Sequence, residues 1–316
     1  MKAAVYTEYG APSVLRIQDV PKPSPNNQEI LVKVYASTVS AGTIWVRQGQ
    51  FPGSKVLTFL ARLMFGLTKP RNPILGFEFS GVVEAVGTSV TRFRVGDNVY
   101  GTTTGLPQGA YAEYVCVPER WKQGVVARKP TTLTFEEAAA LPVGGMTAFN
   151  LLKRANIKPN QDVLIYGASG SVGTFAVQIA KYWGAKVTAV CSGRNTELVQ
   201  SLGADTVIDY TTTNIQTLAT QFDVVFDAVA KLPPAIVQSL VKQDGKTLSV
   251  TSITSEKQEY LETLEGMIAE HKLKPVVDRI YPLENIAQAH EYGDTGHKRG
   301  NVIITVLQHQ NETIQQ

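Results

Sequence analysis

Between Met1 and Arg120 the apolar positions come in short bursts separated by turn formers. Residues 3–6, 30–35, 81–86, 98–100 and 112–117 are short runs rich in Val and Tyr. Pro21, Pro23 and Pro25, then Gly87, Gly96, Gly101, Gly105 and Gly109, punctuate them. Val and Tyr suit the half-buried surface of a strand, and Gly and Pro supply turn geometry, so the pattern predicts a compact domain of β-barrel type. An insertion, 52–71, interrupts it with a predicted helix over 56–65, readable as an apolar cap over the barrel or as a cover over a substrate cleft. Beyond Pro130 the period changes. Thr134 and Glu137 form a capping box, in which each side chain satisfies an open backbone N–H of the other, and a helix is expected through 138–140 towards Leu152. Strands at 162–166, 186–191, 206–208, 223–228 and 246–251 follow, with helices between the first three, the second ending at Gly203. This alternation predicts a parallel sheet covered by helices on both faces. A helix over 260–271, a run at 274–281, a helix over 284–292 and a Val/Ile-rich strand at 301–306 close the chain. That strand resembles the first domain and is expected to return to it. The polar tail, 308–316, is expected to fray.

Length agrees with two domains: 316 residues, at roughly 150 per domain. Charged residues make up 18% and hydrophobic ones 43%, the balance of a folded chain and not of a disordered one. The net charge of +3, from 30 basic and 27 acidic residues, is too small and too interspersed for a nucleic-acid-binding protein. The first ten residues have no apolar core of a secretory signal. The most apolar stretch, 56–67, contains Arg62 and falls well short of the roughly 20 residues a membrane span needs, so no membrane partner is expected. Two cysteines, Cys116 and Cys191, lie in apolar runs and read as reduced core thiols of a cytoplasmic protein.

The strongest chemical signal is Asp162-Val-Leu-Ile-Tyr-Gly-Ala-Ser-Gly-Ser-Val-Gly173. Ala168, Ser169, Gly170, Ser171, Val172 and Gly173 occupy a G-x-G-x-x-G frame with Ala in the first glycine's place. A strand enters it, and the following helix carries Val172, Phe175, Ala176, Ile179, Ala180 and Trp183 on one face and closes at Gly184. Gly170 lets a pyrophosphate approach the backbone, Gly173 lets the helix lie close to the sheet, and the open N–H groups at the helix start hold the phosphates. An NAD-selective site usually ends its second strand in Asp or Glu. Here the sequence is Val190-Cys-Ser-Gly-Arg-Asn195, without an acid. Ser192 and Arg194 can donate to a 2′-phosphate, which favours NADP(H).

Several further motifs run in order: Gly76-Phe-Glu-Phe-Ser-Gly-Val-Val-Glu-Ala-Val-Gly87, Val95-Gly-Asp-Asn-Val-Tyr-Gly101, Gly109-Ala-Tyr-Ala-Glu-Tyr-Val115, Leu141-Pro-Val-Gly-Gly-Met-Thr-Ala148, Leu202-Gly-Ala-Asp-Thr-Val-Ile-Asp-Tyr210 and the segment from Gly296-His297 to Val302. Together they resemble the medium-chain dehydrogenase/reductase superfamily, and within it the zinc-free quinone oxidoreductases, over nearly the whole chain. The resemblance implies an α/β protein: a GroES-like β-barrel catalytic domain (1–123 and 283–316) and a Rossmann domain (124–282) with a doubly wound parallel sheet, the nicotinamide lying in a cleft between them. It implies that Tyr210 joins Ser192 and Arg194 at the 2′-phosphate, that Thr147 lies near the nicotinamide, and that His297 and Lys298 lie near the cofactor phosphates. Thr251, where the fifth strand is expected to end, completes the cofactor candidates.

Zinc-dependent relatives place a His where this chain has Phe77 and a Cys in the region that reads Val39-Ser-Ala-Gly-Thr43. The four histidines, His271, His290, His297 and His309, lie in the last quarter without zinc-site spacing, so no zinc is expected. Without a Lewis acid a conjugated acceptor is the better substrate. Relatives usually carry Asn-Pro-x-Asp where this chain reads Ser40-Ala-Gly-Thr43. Ser40 and Thr43 are therefore the catalytic candidates, as hydrogen-bond donors to a developing oxyanion.

The usual Rossmann sheet has six strands, but the helix at 260–271 follows too soon after Thr251 for a parallel crossover. A missing sixth strand, and a homodimer with an altered contact, are expected. The reading is an NADPH-dependent reductase of quinones or α,β-unsaturated carbonyls. A zinc-free NADP-dependent alcohol or aldehyde oxidoreductase and a non-catalytic NADPH-binding sensor or structural protein are the alternatives.

Overall fold

The structure, a computed structural model, describes residues 1–51 and 55–307. Part of the insertion and the tail expected to fray lie outside these residues. In chain order the elements are β1 (Lys2–Val5), β2 (Arg16–Asp19), β3 (Glu29–Val39), α1 (Ala41–Gln48), α2 (Lys55–Phe65), β4 (Glu78–Val86), β5 (Asn98–Thr102), β6 (Tyr114–Pro118), β7 (Val126–Arg128) and α3 (Phe135–Ala140). Then come α4 (Pro142–Ala155), β8 (Asp162–Tyr166), α5 (Ser171–Tyr182), β9 (Lys186–Cys191), α6 (Thr196–Ser201), β10 (Thr206–Asp209), β11 (Phe222–Asp227), α7 (Pro234–Leu240), β12 (Val241–Ser249) and α8 (Gln258–Ala269). The chain closes with β13 (Val277–Pro282), α9 (Ile286–Asp294) and β14 (Asn301–Thr305). None of the described helices is long and apolar enough to cross a membrane.

Two compact units result. The first holds Met1–Ala140, Arg279–Gly296 and the chain from Val302; the second holds Leu141–Asp278 and His297–Asn301. In the first, β14 pairs antiparallel with β3, which also pairs with β4 and β6 in a seven-stranded sheet. The return of the last strand to this sheet is as expected. Register shifts between Leu31 and Val32 and between Val34 and Ala36 bend β3, the usual consequence of a bulge. Ile30, Val32 and Val34 pack with Phe79, Val83, Val115 and Val117 in the core of this sheet.

The second unit is a parallel sheet in the order β10-β9-β8-β11-β12. Val163, Leu164 and Ile165 of β8 are all buried, as a strand covered on both faces requires. No sixth strand follows β12 among the described residues. Five parallel strands agree with the sequence expectation, although the last of them spans Val241–Ser249 and not 246–251.

Three expectations change. The helix foreseen from Thr134 towards Leu152 is two helices: the capping box forms, with Thr134 N to Glu137 Oε2 at 3.0 Å and Glu137 N to Thr134 Oγ1 at 3.2 Å, but Pro142 begins a new helix because it has no N–H to continue the old one. The units divide at Ala140/Leu141, whereas the sequence placed the division at 123/124. Residues of the intervening stretch pack on the first unit: β7 pairs with β5, Phe135 stacks on Tyr35 with ring centroids 4.8 Å apart, and Ser80 Oγ donates to the Phe135 carbonyl. Residues 297–301, expected with the barrel, belong to the second unit, where Gly300 N–H donates to the Ser169 carbonyl at 2.8 Å.

Candidate functional site

The glycine loop joins β8 to α5, and its glycines differ in what they permit. Gly167 has φ +77°, a left-handed conformation, and a Cβ there would lie 2.5 Å from Val229 Cγ1. A Cβ on Gly173 would lie 2.2 Å from the Gly167 carbonyl oxygen, so this glycine is what lets α5 lie against the turn. Gly170 is different. It is the N-cap residue at φ −80°, with no side-chain hydrogen bond to the helix, and the nearest atom to a Cβ would be 3.5 Å away. The first N–H groups of α5, on Ser171, Val172 and Gly173, have no intrahelical partner. With the positive end of the helix dipole, they form a cradle for an anion.

Neighbouring segments hold this loop in place. Gly170 bridges to Gly300 in parallel fashion, and Ser171 Oγ donates to Asn301 Oδ1 at 2.6 Å. On α4, a Cβ at Gly144 would lie 2.5 Å from Ser171 Oγ, so α4 meets the start of α5. Thr147, half-buried, is one turn further along α4. Buried Asn195 donates through Nδ2 to Ser169 Oγ at 3.0 Å and to Ser192 Oγ at 3.1 Å. Arg194 is exposed and donates to the His297 carbonyl at 3.3 Å. Lys298 is half-buried in the same segment. Tyr210 is 46% exposed, its N–H donating to the Cys191 carbonyl at 3.1 Å and its ring 6.4 Å from that of Tyr166. The structure therefore gathers Ala168 to Gly173, Ser192, Arg194 and the 297–301 segment. Thr251 is not gathered with them. It lies exposed beyond the end of β12, with its N–H and hydroxyl turned to Ser249 Oγ at 3.3 and 3.0 Å.

Asp209, at the end of β10, has its carboxyl held below the ordinary value. A hydrogen bond from the Thr211 hydroxyl is the largest cause, followed by the Thr211 and Gly193 N–H groups. A Cβ on Gly193 would lie 2.4 Å from Asp209 Oδ2. The loop carrying Ser192 and Arg194 thus rests on an anion whose lone pairs are already engaged. Next to it, burial and then the Asp209 charge push the Cys191 thiol up to about 11.

Ser40 and Thr43 lie in the first unit and cap α1. Ser40 Oγ accepts from Thr43 N–H at 3.2 Å, and Thr43 Oγ1 accepts from Ser40 N–H at 3.1 Å and donates to the Ser40 carbonyl at 2.9 Å. Thr43 is fully buried. The Tyr111 hydroxyl donates to the Thr38 carbonyl at 2.9 Å and lies 3.3 Å from Thr43 Oγ1 and 3.1 Å from His290 Nε2. The hydroxyl of Thr43 is therefore spent on structure. Half-buried Ser40 accepts in the cap through a lone pair of its Oγ. Phe77 lies against this turn: a Cβ on Gly42 would be 3.2 Å from Phe77 Cε2. Among the described residues no group of three or more His, Cys, Asp or Glu side chains could hold a metal ion.

Residues 26–130 match the alcohol dehydrogenase GroES-like domain, and residues 171–275 match the zinc-binding dehydrogenase family. The chain is 32% identical to an NADPH-dependent alkenal/one oxidoreductase, chloroplastic, of Arabidopsis thaliana, over 96% of this chain and 79% of that protein. It is 33% identical to a 2-methylene-furan-3-one reductase of Solanum lycopersicum, with the same coverage of 96% and 79%. The solved quinone oxidoreductase of Coxiella burnetii superposes with a TM-score of 0.82 at 29% identity, over 97% of this chain and 99% of that one. The chain belongs to the quinone oxidoreductase-like medium-chain dehydrogenases/reductases. For a member of this superfamily the glycine loop was legible because its residues are contiguous. Asn195, Asn301 and Asp209 were not singled out, because they reach the loop through the fold. The only local signal for the first was an amide at the start of α6, directly after Arg194.

Proposed function

We propose that this medium-chain reductase transfers hydride from NADPH to a quinone or an α,β-unsaturated carbonyl, without zinc. The observation that carries the reading is the open cradle at Gly170, on the uncapped start of α5, with Ser192 and Arg194 tied to the same loop. When bound, NADPH supplies the hydride. The N–H groups of Ser171, Val172 and Gly173 hold its pyrophosphate, and Ser169, His297 and Lys298 border that group. Ser192, Arg194 and Tyr210 receive the 2′-phosphate, which the engaged carboxylate of Asp209 does not oppose as strongly as a free one would. Thr147 orients the nicotinamide end.

The names of the relatives support the acceptor class, since an alkenal, an alkenone and a 2-methylene-furan-3-one all carry a C=C conjugated to a carbonyl. Hydride adds at the far carbon, the oxygen on which negative charge develops accepts a hydrogen bond from Ser40 Oγ–H, and a proton from solvent completes the reduction. Phe77 gives the turn beside Ser40 an apolar wall in place of a metal ligand, which suits conjugate addition better than reduction of an isolated carbonyl. Two reduced thiols, Cys116 and Cys191, agree with a cytoplasmic location.

The test is NADPH oxidation measured against a panel of quinones, enones and simple aldehydes, together with NADP+ reduction by simple alcohols. Turnover on quinones or enones with NADPH is expected, unaffected by chelators. Turnover confined to simple alcohols or aldehydes would favour the alcohol dehydrogenase alternative. Tight NADPH binding without turnover on any acceptor would favour the sensor, a reading to which the buried Thr43 lends weight. Arg194→Ala should weaken NADPH binding by at least about tenfold and leave NADH unchanged, as loss of one charge-assisted pair implies.

A further inference from the structure

Helix α2 turns its apolar face outward. Val56, Phe59, Leu60, Leu63 and Met64, with Leu67 just beyond, fall at i, i+3, i+4, i+7, i+8 and i+11, one stripe along a helix. All six are exposed, from 44% at Leu63 to 67% at Val56. The opposite face does the anchoring. Thr58 Oγ1 accepts from Phe51 N–H at 3.2 Å, and Arg62 Nε donates to the Gly49 carbonyl at 2.9 Å while its guanidinium lies 5.0 Å from the Tyr9 ring centroid. Ala61 is buried, Phe65 stacks on Phe51, and Tyr9 Oη donates to the Gly66 carbonyl at 2.6 Å. A contiguous exposed patch of this kind marks an interaction surface.

Charge identifies what covers it. Between Glu29 and Glu78 the sequence has no Asp or Glu and carries Lys33, Arg47, Lys55, Arg62, Lys69 and Arg71. Arg47 is buried against Asp294, but Lys69 and Arg71, just past the helix, are exposed. A second copy docked on the same stripe would bring these cations together. An anionic bilayer would instead take the apolar side chains into its acyl boundary and the cations onto its headgroup phosphates. We propose that α2, with Lys69 and Arg71, docks the protein on the surface of anionic lipid membranes. At 11 residues and about 1.5 Å per residue the helix lies on a bilayer and does not span one. Such peripheral docking differs from the sequence expectation of no membrane partner and does not depend on the reaction proposed above.

The test is co-sedimentation of the full chain with vesicles of phosphatidylcholine alone or with about one third phosphatidylglycerol, at low and high salt. Binding to the anionic vesicles, weakened by salt, is expected. Phe59→Asp with Leu63→Asp should lower partitioning at least about tenfold, and Lys69→Glu with Arg71→Glu should abolish the preference for anionic lipid. An unchanged melting temperature shows that these variants fold, and Met64→Glu alone provides a milder check. Equal sedimentation with and without vesicles would overturn the proposal. So would a wild-type dimer that Phe59→Asp with Leu63→Asp dissociates without any effect of lipid, which would assign the face to a second copy.

Discussion

Gly170 and Gly173 belong to one loop, yet glycine is needed for opposite reasons, and a single methyl group separates them. At Gly173 a Cβ would sit 2.2 Å from the Gly167 carbonyl oxygen and 2.8 Å from Ala168 backbone atoms. Backbone cannot retreat as a flexible side chain would, so Gly173→Ala should lower stability by about 1–3 kcal/mol, the usual cost of overpacking. At Gly170 the backbone angle is ordinary for alanine and the nearest atom is 3.5 Å away. Gly170→Ala should therefore leave the melting temperature within about a degree or two and reduce NADPH affinity at least about tenfold, because the methyl group occupies the space a pyrophosphate needs. Thermal melts and NADPH titration of the two variants check this directly. If Gly170→Ala binds NADPH normally, the phosphate cradle is not where it is placed here. Asn195 acts one step further back: its single amide group ties Ser169 to Ser192, so it fixes the distance between the phosphate loop and the ribose loop without touching either ligand group.

Among the elements, α1 and α9 are joined by a buried charge. Arg47 is fully buried and its Nη2 reaches both oxygens of Asp294, at 2.6 and 2.8 Å, while Nη1 donates to the Gly10 carbonyl at 3.0 Å. The helices approach closely here, since a Cβ on Gly293 would lie 2.8 Å from Ile44 Cδ1. Removing one partner of a buried pair leaves the other charge stranded. Asp294→Ala should cost about 3 kcal/mol, the low end for such a pair because Asp294 keeps some exposure. Replacing Arg47 by Met together with Asp294→Ala should cost less than Asp294→Ala alone. Urea denaturation of the three proteins decides it. None of this was readable from the sequence, and α1 itself was missed. Its capping box uses Thr43 where the familiar signal is Glu or Gln, and its first turn, Ala-Gly-Thr, resembles a loop. The α3–α4 break could have been read, since Pro142 cannot continue a helix. For α2 the stripe was visible and its direction was not: periodicity shows that a helix has two faces, but only Thr58, Arg62 and Phe65 meeting Phe51, Gly49 and Tyr9 show which face points in. Four strands of the parallel sheet were legible because β8 to β11 are short stretches carrying Val, Ile or Leu and bounded by turns, whereas the polar β12, Val-Lys-Gln-Asp-Gly-Lys-Thr-Leu-Ser, was read only in its second half. In the candidate site the glycine loop was legible because it is contiguous, while Asn195 and Asn301, which tie its parts together, were not, because their partners are set by the fold.

At the scale of the molecule, carboxylates and the free edge of the second unit's sheet govern two bulk properties. Asp205 and Asp223 have carboxyl groups below the ordinary range: burial pushes them up, but Lys181 and the Val187 N–H outweigh it at Asp205, and Lys242 and the Asp162 N–H at Asp223. Glu119 is lowered by the Arg92 and Thr91 N–H groups. A depressed folded-state value contributes stability that is complete above the unfolded value, near pH 4, and is lost as pH falls through the folded value. The urea midpoint should be flat from about pH 7 to 5 and decline below about pH 4. The edge is β12. Its pairing with β11 is irregular between Phe222 and Val224, where 242–245 are skipped in the register. Lys242 turns to Asp223 and Asp162 at 2.9 and 3.2 Å, and Lys246 donates to the Ala155 carbonyl at 3.1 Å. An irregular edge carrying lysines resists a further strand, so two subunits should not join β12 to β12 in one continuous sheet. Amide hydrogen exchange along β12, followed from micromolar to submillimolar protein, should show protection independent of concentration, whatever mass light scattering reports. Protection that rises with dimer formation would mean that the edge is paired between subunits after all.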